Sequence, residues 1–311
     1  MNSVAFSTQT RRLYGSVPST AGLPYGNHFV EILPATGVIS ESVFVGSEPV
    51  PIAVSPDAAV AYVGLNGAAA VRRVNLATMT AGLQFSLGSG NLGPHYAEEI
   101  AVQPGAPDTV AVARRNQGFS PRHTGVAIFD AGIQRPTATP GHTGSNAIVF
   151  GGQPQTLIGY NNETTDFGLR EMQVSPSGVA VTRTVSNVIS GFGVRIIYSN
   201  NYVYSSSGRA VDASTLQLQG TYAASGPVAV DVSSDLVAFA TGAQIKLFDR
   251  ETFVLWDTIT IPSGSSYGEP VGMVSCGTGC LAVLYSESKL VIVQDMLNLQ
   301  TIFADSFEER F

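Results

Sequence analysis

Short apolar bursts alternating with polar positions recur along the whole chain, and no stretch shows the three-to-four-residue spacing of an amphipathic helix. Residues 49–87, PVPIAVSPDAAVAYVGLNGAAAVRRVNLATMTAGLQFSL, display the unit. Ile52 and Val54 mark a first strand, 60–64 a second, 71–74 a third and 83–87 a fourth. SPDA and NLATMT separate them, with Pro, Asp and Asn supplying turn geometry. A single sheet of this kind cannot bury both of its faces, so copies must stack.

A turn of the form apolar, Asp or Asn, two residues, Thr follows the third strand and marks the repeat. It reads Val74-Asn75-Leu76-Ala77-Thr78, Val211-Asp212-Ala213-Ser214-Thr215 and Phe248-Asp249-Arg250-Glu251-Thr252, with a degenerate copy at Ile32-Leu33-Pro34-Ala35-Thr36. Phe129-Asp130, Met172-Gln173 and Val293-Gln294 hold the same place without the Thr. Positions 33, 75, 130, 173, 212, 249 and 294 are then spaced by 42, 55, 43, 39, 37 and 45 residues. Seven units of four strands predict an all-β fold, a seven-bladed β-propeller of four-stranded antiparallel blades, which removes open sheet edges by radial repetition. The expected blades are 1–45, 46–90, 91–142, 143–189, 190–224, 225–263 and 264–304, forming a single propeller over 1–304 with a C-terminal tail at 305–311. Inner strands are expected at 4–6, 50–54, 99–102, 147–150, 194–198, 228–232 and 271–274, and the last blade takes its outer strand from 299–303.

Composition narrows the function classes. Of 311 residues 44% are hydrophobic and only 13% charged, about half the usual charged share, so a large core and little disorder follow. A net charge of −7 gives no overall attraction to nucleic acid or anionic lipid. No apolar run reaches the ~20 residues of a membrane span. The opening MNSVAFSTQTRRLYGS lacks the regions of a secretory signal and begins inside a strand pattern, which implies a segment cut from a longer precursor. Cys276 and Cys280 flank GTG at an expected hairpin, close enough to pair as a disulfide in an oxidising, extracytoplasmic setting, or to remain two small half-buried thiols. A monomer is expected.

The phrases PIAVSPDAAVAYVGLNGAAAVRRVNLAT and GPVAVDVSSDLVAFATGAQIKLFDRETF resemble the YVTN-type repeat of bacterial surface and exported propellers, some of them lactonase-like. The likeness covers most of the chain as a rhythm and is detailed only in blades 2 and 6, where the YVTN tetrapeptide reads YVGL, Tyr62 to Leu65. It implies a propeller exposed outside the cytoplasm and specifies no reaction. The ending IFADSFEERF is similar to the acidic-aromatic ends of exported bacterial proteins.

Candidate chemistry gathers at one rim. Linkers between blades share that top rim with the turns between second and third strands. The longest irregular stretches, GSGNLGPHYAEE at 88–99 and RRNQGFSPRHTG at 114–125, both fall there, and long loops on a rigid scaffold are where binding residues concentrate. His95, Tyr96, Glu98, Glu99, Arg114, Arg115, Arg122, His123 and His142 belong to this sector, with Tyr160, Asn161, Asn162 and Glu163 in the neighbouring blade 4 turn.

Two uses are open. A recognition module would bind a small anionic or carbohydrate ligand, or a cell-envelope protein, through Tyr96, Glu98, Arg114, His123, Tyr160, Asn161 and Glu163. An enzyme, a lyase or a hydrolase acting on a lactone or a uronate-containing sugar, would use His142 or His95 as general base, with Arg115 and Arg122 neutralising the substrate carboxylate. The cofactor is unknown; a divalent metal could sit among His95, Glu98, His123 and His142. Against both stands an architectural role, with Arg114 and Arg115 merely paired to Glu98 or Glu99. No G-x-S-x-G, H-E-x-x-H, P-loop or dinucleotide motif is present.

Overall fold

The computed structural model describes residues 1–262, 266–296 and 301–306. Seven four-stranded antiparallel sheets succeed one another along the chain, each with its strands hydrogen-bonded in sequence order. Their first strands, Ser3–Ser7, Pro49–Val54, Tyr96–Val102, Ala147–Phe150, Ile196–Ser199, Val228–Asp231 and Pro270–Ser275, stand side by side around the axis, and the first and last of them meet. This is the seven-bladed propeller. Helix is almost absent among the described residues, with a short 3-10 turn at Ser19–Ala21, and no helix there is long and apolar enough to cross a membrane.

The alternation read from the sequence becomes the packing. In the second strand of blade 6, Leu236–Thr241, Val237 and Phe239 turn toward blade 5, while Leu236, Ala238 and Ala240 turn toward blade 7. Both faces are therefore core. Each seam between neighbouring blades holds its own cluster of buried apolar side chains among the described residues. Buried tyrosines cross some of these seams and satisfy their hydroxyls on main-chain oxygens: Tyr62 donates to Pro107 at 3.0 Å and Tyr222 to Arg250 at 3.0 Å.

The repeating Asp/Asn-x-x-Thr turn is an Asx turn. Asp249 Oδ1 accepts the backbone N–H of Glu251 at 3.1 Å and of Thr252 at 2.8 Å, together with the Thr252 hydroxyl at 2.7 Å. Asp212 does the same for Ser214 and Thr215, and Asn75 takes the Thr78 N–H at 3.1 Å. These bonds hold the Asp212 and Asp249 carboxyls below the usual carboxylate range.

The ring closes without exchange of a strand between blades. Blade 7 takes Thr301–Ser306 as its outer strand, paired antiparallel with Lys289–Gln294. The expected strand began at 299, and residues 297–300 lie outside the described ones, as do 307–311 of the expected tail. Blades 7 and 1 meet through side chains, Ala282, Leu284 and Ile292 against Leu13, Val30 and Ile32. Cys276 and Cys280 form a disulfide in the turn beside this seam, their Cα atoms 5.0 Å apart.

Candidate functional site

Blade 3 carries two departures from regular pairing, and both aim side chains. Tyr96 and Ala97 face Arg115 and Arg114, but Glu99 faces Ala113, so Glu98 is an extra residue in a bulge. In an unbroken strand adjacent glutamates point to opposite faces. The bulge turns both Glu98 and Glu99 into one cavity at the top rim. A second irregularity at Ala113/Arg115 accompanies the turn to the next strand.

Much of the sector expected as loop is strand. Tyr96–Val102 begins inside the stretch read as irregular, which also folds a small hairpin from Ser89–Gly90 and Gly93–Pro94. Thr109–Arg115 and His123–Asp130 absorb both ends of the second stretch and leave only 116–122 as the connection.

An ion-pair chain runs along this rim. Glu98 is ion-paired with Arg115 Nε at 3.1 Å and accepts hydrogen bonds from both Nε and Nη2 of Arg122 at 3.1 and 2.9 Å. Arg115 also reaches Asn66 Oδ1 in blade 2 at 3.1 Å, and its guanidinium lies 5.9 Å from the Tyr96 ring centre. Glu163 enters from blade 4 with a side chain only 5% exposed. It accepts the backbone N–H groups of Arg122 at 2.6 Å and His123 at 3.2 Å, Asn146 Nδ2 at 3.1 Å, and Arg122 Nη1 at 3.4 Å. Glu99 pairs with Arg195 of the linker into blade 5 at 3.1 Å. Burial pushes the Glu99 carboxyl above its ordinary range; Arg195 opposes this and Glu98 adds to it.

Three of the ligand-binding candidates have their polar groups engaged within their own neighbourhood. Arg114 is buried and donates to the carbonyls of Gly125, Leu87 and Thr124 and to Gln134 Oε1, because alternation sends it to the side opposite Arg115. Tyr160 is buried and its hydroxyl donates to Gly191 O at 3.0 Å; burial pushes its pKa up to about 12. Asn161 folds its own turn, accepting the N–H groups of Glu163 and Thr164 at 3.1 Å.

The histidines differ in setting, although the His142 N–H donates to His123 O at 2.8 Å. His142 is exposed, and its ring meets the Thr143 hydroxyl at 3.2 Å. His95 is half-buried beside Arg114, with Nδ1 buried and unpartnered; burial, then Arg114, lowers its pKa. His123 is 2% exposed, neither ring nitrogen has a partner, and burial followed by Arg170, Arg114 and Arg122 brings its pKa to about 4. His123 is thus a neutral imidazole held within a cationic surround. No three of His, Cys, Asp and Glu come together as a metal-ligand set among the described residues, which removes the expected grouping of His95, Glu98, His123 and His142.

The cavity itself has a volume of about 110 Å³ and lies where blades 3, 4 and 5 meet, bounded by Glu98, Glu99, Arg122, Asn146, Asn162 and Arg195. Asn146 and Asn162 are both buried. Their amide orientations are fixed, since Asn146 Nδ2 donates to Glu163 and Asn162 Nδ2 to Val194 O at 3.1 Å. Each is left with a buried Oδ1 that accepts nothing. Phe192, next in the chain to the cavity-lining Gly193, is 65% exposed and packs edge-on against Phe167, ring centres 4.9 Å apart, and Phe119 of the 116–122 connection is also exposed. Asn146, Arg195 and Phe192 escaped the sequence reading. They sit in ordinary-looking linkers, and only the ring brings those linkers to the bulge of blade 3.

No protein-family model matches the sequence, and no curated protein matches it. The fold is similar to solved structures. Hydrazine synthase of Kuenenia stuttgartiensis aligns with TM-score 0.67 and 12% identity over 94% of each chain. The β-propeller domain of Cps50 (Swd1) from Myceliophteria thermophila aligns with TM-score 0.71 and 14% identity over 92% of this chain and 93% of that one. At such identities the likeness establishes the propeller fold and leaves function to the site.

Proposed function

We propose that this propeller is an exported recognition module that takes the hydroxyl-bearing edge of a carbohydrate into the cavity between blades 3, 4 and 5. The carrying observation is a small polar cavity lined by the buried asparagines Asn146 and Asn162 together with arginines already paired with glutamates. An anionic ligand would reach Arg122 only by displacing Glu98 or Glu163, which hold it by several bonds. Exposed Phe192 and Phe119 offer apolar faces for the C–H side of a sugar ring. Export is supported by the Cys276–Cys280 disulfide.

Calorimetric titration with a panel of neutral and amino monosaccharides and disaccharides tests the reading. At least one sugar binds, and replacing Asn146 and Asn162 together by Ala weakens it tenfold or more. A panel without binding, or a double variant that binds as the parent does, refutes it.

A further inference from the structure

A second and larger cavity, of about 410 Å³, opens at the opposite end of the ring. Its wall combines the first strands of blades 5, 6 and 7 with Phe6 and Thr8 of blade 1. Blades 5 and 1 are not neighbours, so only the channel around the axis can bring them to one cavity. Thr8, Ser233 and Gly277 belong to turns between first and second strands, which lie at the far end from the Glu98 and Glu163 rim. The volume falls in the roughly 300–1,000 Å³ range of pockets that enclose drug-sized ligands.

Its chemistry differs from that of the rim. Phe6, Ile197, Val230, Val232, Met273 and Val274 make the lining largely apolar, and among the described residues no Lys, Arg, His or Glu contributes to it. Asp231, its one carboxylate, is buried and already committed. Its Oδ1 accepts the N–H and the hydroxyl of Ser233 at 3.1 and 2.7 Å, and its Oδ2 accepts the Ser234 hydroxyl at 2.8 Å and the Gly279 N–H at 2.7 Å. A charged ligand would leave water here with no counter-charge to meet, which is costly. Polar contact with an uncharged one can come from Ser199 and Ser275, half-buried serines of the lining.

The blade 7 side of this cavity is built by the disulfide turn. Between Cys276 and Cys280, Gly277 lines the cavity, the Thr278 and Ser233 hydroxyls meet at 3.0 Å, and Gly279 donates to Asp231. The last two contacts tie the turn to blade 6. A disulfide that closes only five residues restrains the unfolded chain less than a long-range one does, so its distinct effect is local: it holds this turn in the shape that reaches blade 6.

We propose that this mouth of the channel is a second binding site, for a compact, uncharged and largely apolar small molecule bearing a hydroxyl or carbonyl group, and that the Cys276–Cys280 bridge keeps its blade 7 wall in binding shape. The site does not depend on the carbohydrate reading, which concerns the other rim.

Fluorescence titration of the full chain at pH 7 with 2-naphthol and 9-anthracenemethanol, and with 2-naphthoate as the charged counterpart, tests both parts. At least one uncharged probe saturates at one equivalent and binds at least ten times more tightly than 2-naphthoate. Val232→Trp, which places an indole at the mouth from a residue already 51% exposed, weakens that binding at least tenfold without lowering Tm. Reducing the disulfide weakens it about threefold or more in a chain that circular dichroism shows still folded. Thr278→Ala, which removes only the bond to Ser233, reads the same coupling if reduction unfolds the chain. Equally tight 2-naphthoate, no saturable binding, or parent affinity in Val232→Trp overturns the site. Unchanged affinity in the reduced, folded chain and in Thr278→Ala overturns the role of the bridge. A parent that sediments as a dimer and becomes a monomer as Val232→Trp makes the mouth an interface between copies and overturns the small-molecule proposal.

Discussion

Glu163 is the residue whose removal tests the site's architecture most directly. Its carboxylate satisfies two backbone N–H groups, of Arg122 and His123, and the amide of Asn146, in addition to the Arg122 guanidinium. Glu163→Ala leaves these donors facing a void. At roughly 1–3 kcal/mol for each buried donor left unsatisfied, with water recovering part of the loss for half-exposed Arg122, the expected destabilisation is about 3–5 kcal/mol. With an unfolding entropy near 2.1 cal/mol/K per residue, a cooperative unit of this size loses about 1.5 °C for each kcal/mol, so Tm falls by about 5–8 °C. Glu163→Gln retains one acceptor oxygen and presents an amide to donors, and falls between the two. Differential scanning calorimetry with guanidinium melts would measure both. A Glu163→Ala protein within 1 kcal/mol of the parent would refute the assignment of Glu163 as the clamp between blades 3 and 4.

Other outcomes follow from single contacts. His123 is neutral when folded, with its pKa lowered to about 4 from an ordinary 6.5, so its contribution is present above pH 6.5 and is lost as pH falls toward 4. Between pH 7 and pH 5 the parent loses about 2 kcal/mol through this group, and denaturant melts of His123→Asn at the two pH values show that part of the dependence gone. At Gly144 an added Cβ would run into the His123 ring, and Gly144→Ala costs about 1–3 kcal/mol by overpacking, read as a lower melting midpoint. Reducing the Cys276–Cys280 disulfide reopens a five-residue loop and costs about 2 kcal/mol on the chain-entropy estimate, which a thermal melt with and without reductant detects.

The propeller was legible because its blades are buried on both faces and must repeat one pattern. Period-two alternation such as that of residues 236–241 has no other use, and the Asx turn at Asn75, Asp212 and Asp249 recurs because its bonds are local. The site was legible only in part. Glu98, Arg115, Arg122 and Glu163 do come together, since loops at one rim cannot help meeting. Which way each side chain turns was not readable. One extra residue at Glu98 redirects two glutamates, and nothing in YAEEIAV announces it. Arg114 and Arg115 look equivalent in sequence, yet one step along a strand assigns the first to main-chain carbonyls and the second to Glu98. Tyr160 and Asn161 are polar and near the rim, but their partners are turns of their own neighbourhood.

The seam between blades 7 and 1 has a topological corollary. Every sheet is one uninterrupted run of sequence, and this junction packs through apolar side chains with no strand shared between its blades. No blade therefore depends on covalent order to find its partner. A circularly permuted chain, its present ends spliced and new ones opened in the linker between Val185 and Ile196, would keep all seven sheets intact and reassemble the same ring from a different starting blade.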